Sequence, residues 1–415
     1  DQSFASGGSD CKTYVGALRT LYELSAMKRD TGVLLLLGLA HSLNHSLFLV
    51  LPPLLEDISR DLGASFQEIG MVATVAFFLY GLGALLGGPL SDRIGHVKVA
   101  SISLGLSGAS TLLFLLPSSL AVFSAGLWII SGWASFYHPT ANTLIAKLYP
   151  GNKARSMGVH GASGSVGQML TPTIAYMIGS AFHWRLAFVF FGVVSIATSL
   201  MMRWIPSVQV SATSERTPLV QILRVPGLWI LIFYNLIIGL FQRGVELFFP
   251  TFLTAARGYT GQMAALSNSV LLMIGVGGQL VGGWASDRYS SSRFLIVASA
   301  GMVASMLILL LLPRGSVGVV GFILLYGFFY FGHQPTMTSL LGSITPPDLM
   351  GMAYGVMFFF AFGLGSVSST ISGYLADNFS LEAVFWIMAL FSFMTLVISL
   401  VIPRVVKDRA SGNEQ

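Results

Sequence analysis

The chain has 415 residues, of which 54% are hydrophobic and only 9% charged, with a formal net charge of +5 and a mean hydropathy of +0.76. Soluble domains carry roughly 25% charged residues, so a soluble globular protein, which must solvate its surface, is excluded. The single cysteine, Cys11, excludes an internal disulfide framework.

Residues 1–30 are polar to amphipathic, and no cleavable signal pattern is expected there. The opening DQSFASGGSD has the character of a tag remnant or a trimmed end, and is set aside. KTYVGALRTLYELSAMKR, residues 12–29, fits either a short amphipathic surface helix or a solvated leader. From residue 31 onward, apolar runs of about 20 residues recur, the length a helix needs to cross a bilayer. Twelve are predicted, near 31–55, 67–90, 97–117, 119–147, 153–179, 184–205, 223–253, 261–285, 294–312, 316–343, 350–376 and 382–403. The longest break, PSVQVSATSERTPLVQ, separates six spans from six. The organisation expected is an all-α membrane protein with an N-terminal segment (1–30) and two pseudo-symmetric six-helix bundles (31–205 and 223–403). A cytoplasmic linker (206–222) joins the bundles, and a cytoplasmic tail (404–415) follows them.

Of the 22 Lys and Arg, 17 fall in segments on one side of this layout and only Arg60, Arg185, Arg257 and Arg314 on the other. Basic residues concentrate on the cytoplasmic side, so both ends are expected in the cytoplasm of a multi-pass protein of the inner or plasma membrane.

Span one reads LGLAHSLNHSLFLVLPP, with His41 and His45 one turn apart on a shared face and Asn44 beside them. At about 1.5 Å per residue His41 sits roughly 15 Å into the span. Between spans two and three comes GPLSDRIGHVK, with Gly88, Asp92, Arg93 and Gly95. Gly88 and Gly95 are expected to permit close helix approach and a tight turn. Span four places His138 next to Pro139 in FYHPTANT, and span ten repeats the feature as FGHQPT with His333 and Pro335. Each proline frees a backbone carbonyl one turn earlier, which a histidine or threonine can satisfy. Kink-capping and substrate contact are thus both open for these histidines. Span seven carries GLFQRGVELFFP. Arg243 and Glu246 lie one turn apart, and Glu246 is the one carboxylate clearly inside a span. A substrate competing for Arg243 would change the proton affinity of Glu246, which makes the pair the leading coupling candidate; the alternative is a static salt bridge. Tyr137, Asn142, His160, Gln168 and Gln242 are secondary candidates for the same wall.

The two halves repeat. Asp92 and Asp287 (in GWASDRYSSSR, with Arg288) are 195 residues apart, as are His138 and His333; Gly158 pairs with Gly355, and Phe188 with Phe385, at 197. A duplicated six-helix unit encloses its site near the bilayer midplane and rocks about it.

GGPLSDRIGHVK resembles the signature between spans two and three of the major facilitator superfamily, Gly-x-Leu-x-Asp-Arg-x-Gly followed by basic residues, here Gly88, Leu90, Asp92, Arg93 and Gly95. The region from Phe136 to Pro172 is similar to that of the fosmidomycin-resistance group of drug exporters, with Thr171-Pro172 where those carry Gly-Pro. The resemblance implies that Asp92 and Arg93, with the weaker copy at Asp287 and Arg288, form a latch closing the inner side. It also implies that spans one, four, seven and ten line the cavity. His41, Asn44, His45, His138, Arg243, Glu246 and His333 would then surround the substrate.

No phosphate-binding loop or ATPase domain is present in the sequence, so energy is expected from a proton gradient with no cofactor. The function expected is a proton-coupled secondary transporter, an antiporter exporting small amphiphilic or anionic compounds. It is not an enzyme. Its partners are a small-molecule substrate, protons and the bilayer, with no nucleic acid, and a monomer is expected. The alternative is transport of a divalent transition metal or metal chelate held by His41, His45 and His138, imidazoles being suitable ligands. A non-transporting receptor on the same scaffold is the third reading.

Overall fold

The computed structural model describes residues 31–207, 219–222, 224–312, 315–346 and 349–406. The expected surface helix at 12–29, most of the linker and the tail beyond residue 406 lie outside the described residues, as do Lys12, Arg19, Lys28, Arg29, Arg216, Arg314, Lys407 and Arg409.

Twelve long helices follow in order. They are α1 (31–49), α2 (Phe66–Ile94), α3 (His96–Ser110), α4 in two pieces (Leu120–Ala134 and Tyr137–Leu148), α5 (Lys153–Ala181) and α6 (Trp184–Met201), then α7 (Leu228–Thr251), α8 (Gly261–Arg288), α9 (Ser291–Leu311), α10 (Ser316–Ile344), α11 (Met350–Asn378) and α12 (Leu381–Val405). Eleven are long and apolar enough to cross a membrane. The twelfth, α5, has the length but dilutes its apolar content with Gly, Ser and Thr. Their outward faces are apolar, with Leu280, Leu311, Val317 and Phe393 all exposed. That is the surface a lipid environment requires.

Turn chemistry fixes where several helices begin. Ser65 caps α2 in a reciprocal box with Glu68, and Ser119, Thr260, Ser290 and Ser380 accept from the first-turn amides of α4, α8, α9 and α12. Gly95 turns the chain between α2 and α3 with φ +100°, a conformation L side chains rarely adopt. The tight turn expected at Gly95 is therefore present. Close approach at Gly88 is not: a Cβ there would meet open space, and α2 instead touches α4 at Gly87, where an added Cβ would lie 2.6 Å from Pro139 Cγ.

The two proline-bearing spans fold differently. α10 runs unbroken through Pro335, whereas α4 breaks at residues 135–136, one turn before Pro139. Carbonyls near such a break need partners inside a bilayer. Ser103 Oγ supplies one to Trp133 at 2.7 Å, and Asn44 Nδ2 another to Ala134 at 3.1 Å. α7 and α11 deviate as well, through π-turns at Phe252–Ala256 and Phe359–Gly363.

Within the C-terminal half, Gly278 and Gly282 lay α8 directly on α10. Added Cβ atoms would lie 2.1 Å from the carbonyl oxygens of Phe328 and Gly332. Small residues four apart let backbones meet in this way, and the contact brings Gln279 Nε2 to within 3.0 Å of Gln334 Oε1. Because the obstacle is backbone, Gly282→Val is expected to lower stability by about 1–3 kcal/mol or more. Thermal unfolding in detergent, followed by tryptophan fluorescence, measures it.

The halves are joined at one end. Asp377 of α11 accepts from the backbone amides of Phe66 (3.1 Å) and Gln67 (2.7 Å) at the start of α2, and Thr74 bonds Thr370. Thr173 of α5 bonds Ser269 of α8, and Thr254 after α7 donates to Glu56. Gly70 rests on the backbone of Ser369, and Gly81 on that of Gly363. The interface is closed at the end where α2 begins.

Candidate functional site

Between the halves lies a cavity of about 260 Å³. α1, α2 and α5 line it from one side, and α7, α8, α10 and α11 from the other.

The C-terminal wall centres on Arg243. The residue is 2% exposed, and its Nη1 pairs with Glu246 Oε2 at 2.8 Å. Gln242 Nε2 reaches the same carboxylate oxygen at 3.2 Å. The guanidinium carbon sits 4.2 Å from the ring centroid of Phe77 and 4.6 Å from that of Phe362. Those rings come from α2 and α11, so the cation is clamped between aromatic faces of opposite halves. Arg243 Nε is buried with no hydrogen-bond partner among the described residues. A buried, unpaired donor on a charged group is costly, and the guanidinium as a whole gives the cavity wall the cationic character that suits an acidic ligand. Gln279, Gln334, Tyr326 and Tyr330 continue this wall, the two tyrosine rings stacking at 5.1 Å.

The N-terminal wall centres on histidine. His41 Nδ1 donates to the His160 carbonyl at 2.8 Å, and its Nε2 lies 3.0 Å from His45 Nε2. An N···N contact that short holds one hydrogen between two ring nitrogens, so one of them presents a lone pair. With Nδ1 of His41 donating, that lone pair belongs to His41 Nε2 when His41 is neutral. The His160 ring stacks on His41 at 4.2 Å. His41, His45 and Gln168 reach the cavity.

Other expected wall residues take different places. His138 is not among the lining side chains: it stands against His41 and His45, flanked by Tyr80 and Phe358. Asn44 is fully buried, bonded to Ala134 and to the Tyr80 hydroxyl, so it closes the α4 break rather than meeting substrate. Tyr137 is buried with its hydroxyl on the Leu37 carbonyl, and Asn142 is exposed outside the cavity. His333 packs among Tyr234 and Tyr330 and hydrogen-bonds the Tyr330 carbonyl in its own helix, away from the lining. Of the two repeated histidines, His138 joins a cluster and His333 bonds the backbone of its own helix.

At the far end of α2, Asp92 lies 3.7 Å from His96 Nε2, which also meets Lys147 Nζ at 2.7 Å. Arg93, Asp287 and Arg288 are exposed. Of the expected latch residues, Asp92 therefore makes a local contact here, within its own half.

The family model described as Major Facilitator Superfamily matches residues 34–370. The glycerol-3-phosphate transporter of Bacillus subtilis is 24% identical over 358 residues, 77% of this chain and 80% of its own length. The fosmidomycin resistance protein of Escherichia coli is 23% identical over 376 residues, covering 86% of this chain and 89% of its own. Among solved structures, a bacterial homolog of the human lysosomal transporter Spinster, inward-facing and unoccupied, superposes with a TM-score of 0.74 at 16% identity, over 91% of this chain and 98% of that one.

Proposed function

The chain belongs to the Major Facilitator Superfamily, as a multi-pass membrane transporter and not an enzyme, and from that premise we propose that it moves small organic anions by proton-coupled alternating access. The observation that carries this is Arg243, a buried cation that lines the cavity, clamped between Phe77 and Phe362. A relative named as a glycerol-3-phosphate transporter supports an acidic substrate. With the basic end taken as cytoplasmic, closure at the start of α2 makes this conformer inward-facing. Export of a cytoplasmic anion would begin from such a state.

Arg243 and Glu246 set the coupling. An incoming anion competes with Glu246 for the guanidinium, and the displaced carboxylate takes up a proton rather than remain charged and unpaired in a low-dielectric wall. Anion and proton are then bound together. Exchange, the mode carried by the drug-exporter resemblance, needs them to exclude each other, which a shared guanidinium does not provide. The reading is therefore co-transport, running outward when the anion accumulates inside.

Proteoliposomes with a trapped pH dye test it, screened with phosphorylated three-carbon acids, phosphonates and carboxylates. A transported anion should carry protons with it. Glu246→Gln is expected to keep anion counterflow within about threefold while losing proton movement. Unchanged proton movement in that variant would remove Glu246 from the coupling role.

A further inference from the structure

The histidine wall is not used by the anion–proton reading, yet it is built like a ligand sphere. We propose that α1 and α4 carry a resident site for one divalent transition metal ion, held by His41, His45 and His138. One ligand nitrogen from each of the three lies within 4.8 Å of the others. A tetrahedral site with metal–nitrogen bonds of about 2.0–2.1 Å separates its ligand nitrogens by about 3.4 Å, so small side-chain rotations close the set.

Two further observations point the same way. His41 Nδ1 already donates to the His160 carbonyl at 2.8 Å, the outer contact that metal-bound histidines use to fix tautomer and ring direction. This leaves Nε2 as the ligand atom, facing His45 at 3.0 Å. The hydrogen shared there occupies the place of an ion, which takes it once the neutral His45 ring shifts that hydrogen to its Nδ1 and presents Nε2 as a ligand. His160 stacks on the back of His41 and stiffens it from α5.

All three ligands belong to the N-terminal half. A rocking motion that parts the halves leaves the set intact, so the ion is a fixture rather than cargo. Three imidazoles leave a fourth position open. His41 and His45 line the cavity that Arg243 enters from the other half, so the open position is available to water or to the acidic group of a substrate.

Full-length protein, with any affinity tag removed, is titrated with Co²⁺ and Zn²⁺ in detergent. One Co²⁺ per chain is expected, with the intense visible absorption of a four-coordinate ion, displaced by Zn²⁺. His45→Gln and His138→Gln should each weaken binding at least tenfold, while His183→Gln, in the turn between α5 and α6, should not. Thermal unfolding confirms that the variants remain folded. No stoichiometric Co²⁺ band, or a band that survives both substitutions, would overturn the site. Zn²⁺ appearing inside indicator-loaded proteoliposomes would overturn residency and make the metal cargo. Anion transport by Arg243 is a separate measurement, so either reading can fail without the other.

Discussion

Arg243→Ala is expected to abolish anion accumulation in proteoliposomes while leaving protein that elutes as a single species. The size of the effect follows from the site. Arg243 is 2% exposed, and its buried Nε has no protein partner among the described residues. A bound anion would accept charge-assisted hydrogen bonds from the guanidinium with little water to replace them. Removing one partner of such a buried pair costs about 2–5 kcal/mol, a weakening of roughly 30-fold to several thousand-fold. Arg243→Lys keeps the charge but loses the planar fork and its stacking on Phe77 and Phe362, so it should recover only part of the loss. Arg243→Ala also strands Glu246. The double variant Arg243→Ala with Glu246→Gln removes that unpaired carboxylate and should be the better-folded protein, still unable to bind anion. Radiolabelled counterflow and thermal unfolding on the same three preparations separate the roles. Full transport by Arg243→Ala would end the anion reading.

Much of this arrangement was legible in the sequence. Twelve apolar runs became twelve helices because bilayer thickness fixes helix length and leaves few other solutions. Arg243 and Glu246 could be paired from their spacing alone, since one helical turn sets their neighbourhood. What the sequence could not show is what depends on contacts between helices. The repeat made His138 and His333 look equivalent, yet a break in α4 and its absence in α10 send one ring into a cluster and the other onto its own backbone. Asn44 looked like a cavity group because it sits beside two histidines. Its amide was instead required by the Ala134 carbonyl, a partner 90 residues away. Gln279, Gln334 and the aromatic clamp carry no titratable group to mark them in the sequence. Gln334 stood in plain view between His333 and Pro335, and an uncharged amide in an apolar span was the available signal. Phe77 carried none, because one phenylalanine among many in a lipid-facing chain is unremarkable until its neighbour is known.

Gly70→Leu is expected to remove the conformer described here. A Cβ at Gly70 would lie 2.3 Å from the carbonyl oxygen of Ser369 and 3.0 Å from its carbon, both backbone atoms of α11 that cannot turn aside. A leucine must therefore separate α2 from α11, shifting the equilibrium toward the state open at this end by on the order of 100-fold or more, equivalent to about 3 kcal/mol. Asp377→Asn acts on the same interface more gently. It keeps the shape but withdraws a charge from the α2 N-terminus, where the carboxylate meets the amides of Phe66 and Gln67. Such exposed contacts are worth about 0.3–1 kcal/mol, a shift of only a few-fold. The chain's single cysteine simplifies the measurement. On a Cys11→Ser background, spin labels at Arg60→Cys and Asn378→Cys report the gap between the halves. A short distance should dominate in the parent, broaden in Asp377→Asn and disappear in Gly70→Leu. The same motion reaches the substrate site, because Phe77 lies two turns after Gly70 on the face of α2 that meets α11. Parting the helices draws Phe77 off the Arg243 guanidinium, so the cation loses one face of its clamp as that end opens. Gly70→Leu should accordingly bind anion more weakly as well as adopt the wrong state. A variant that keeps the short distance would show that α2 and α11 do not form the closing contact.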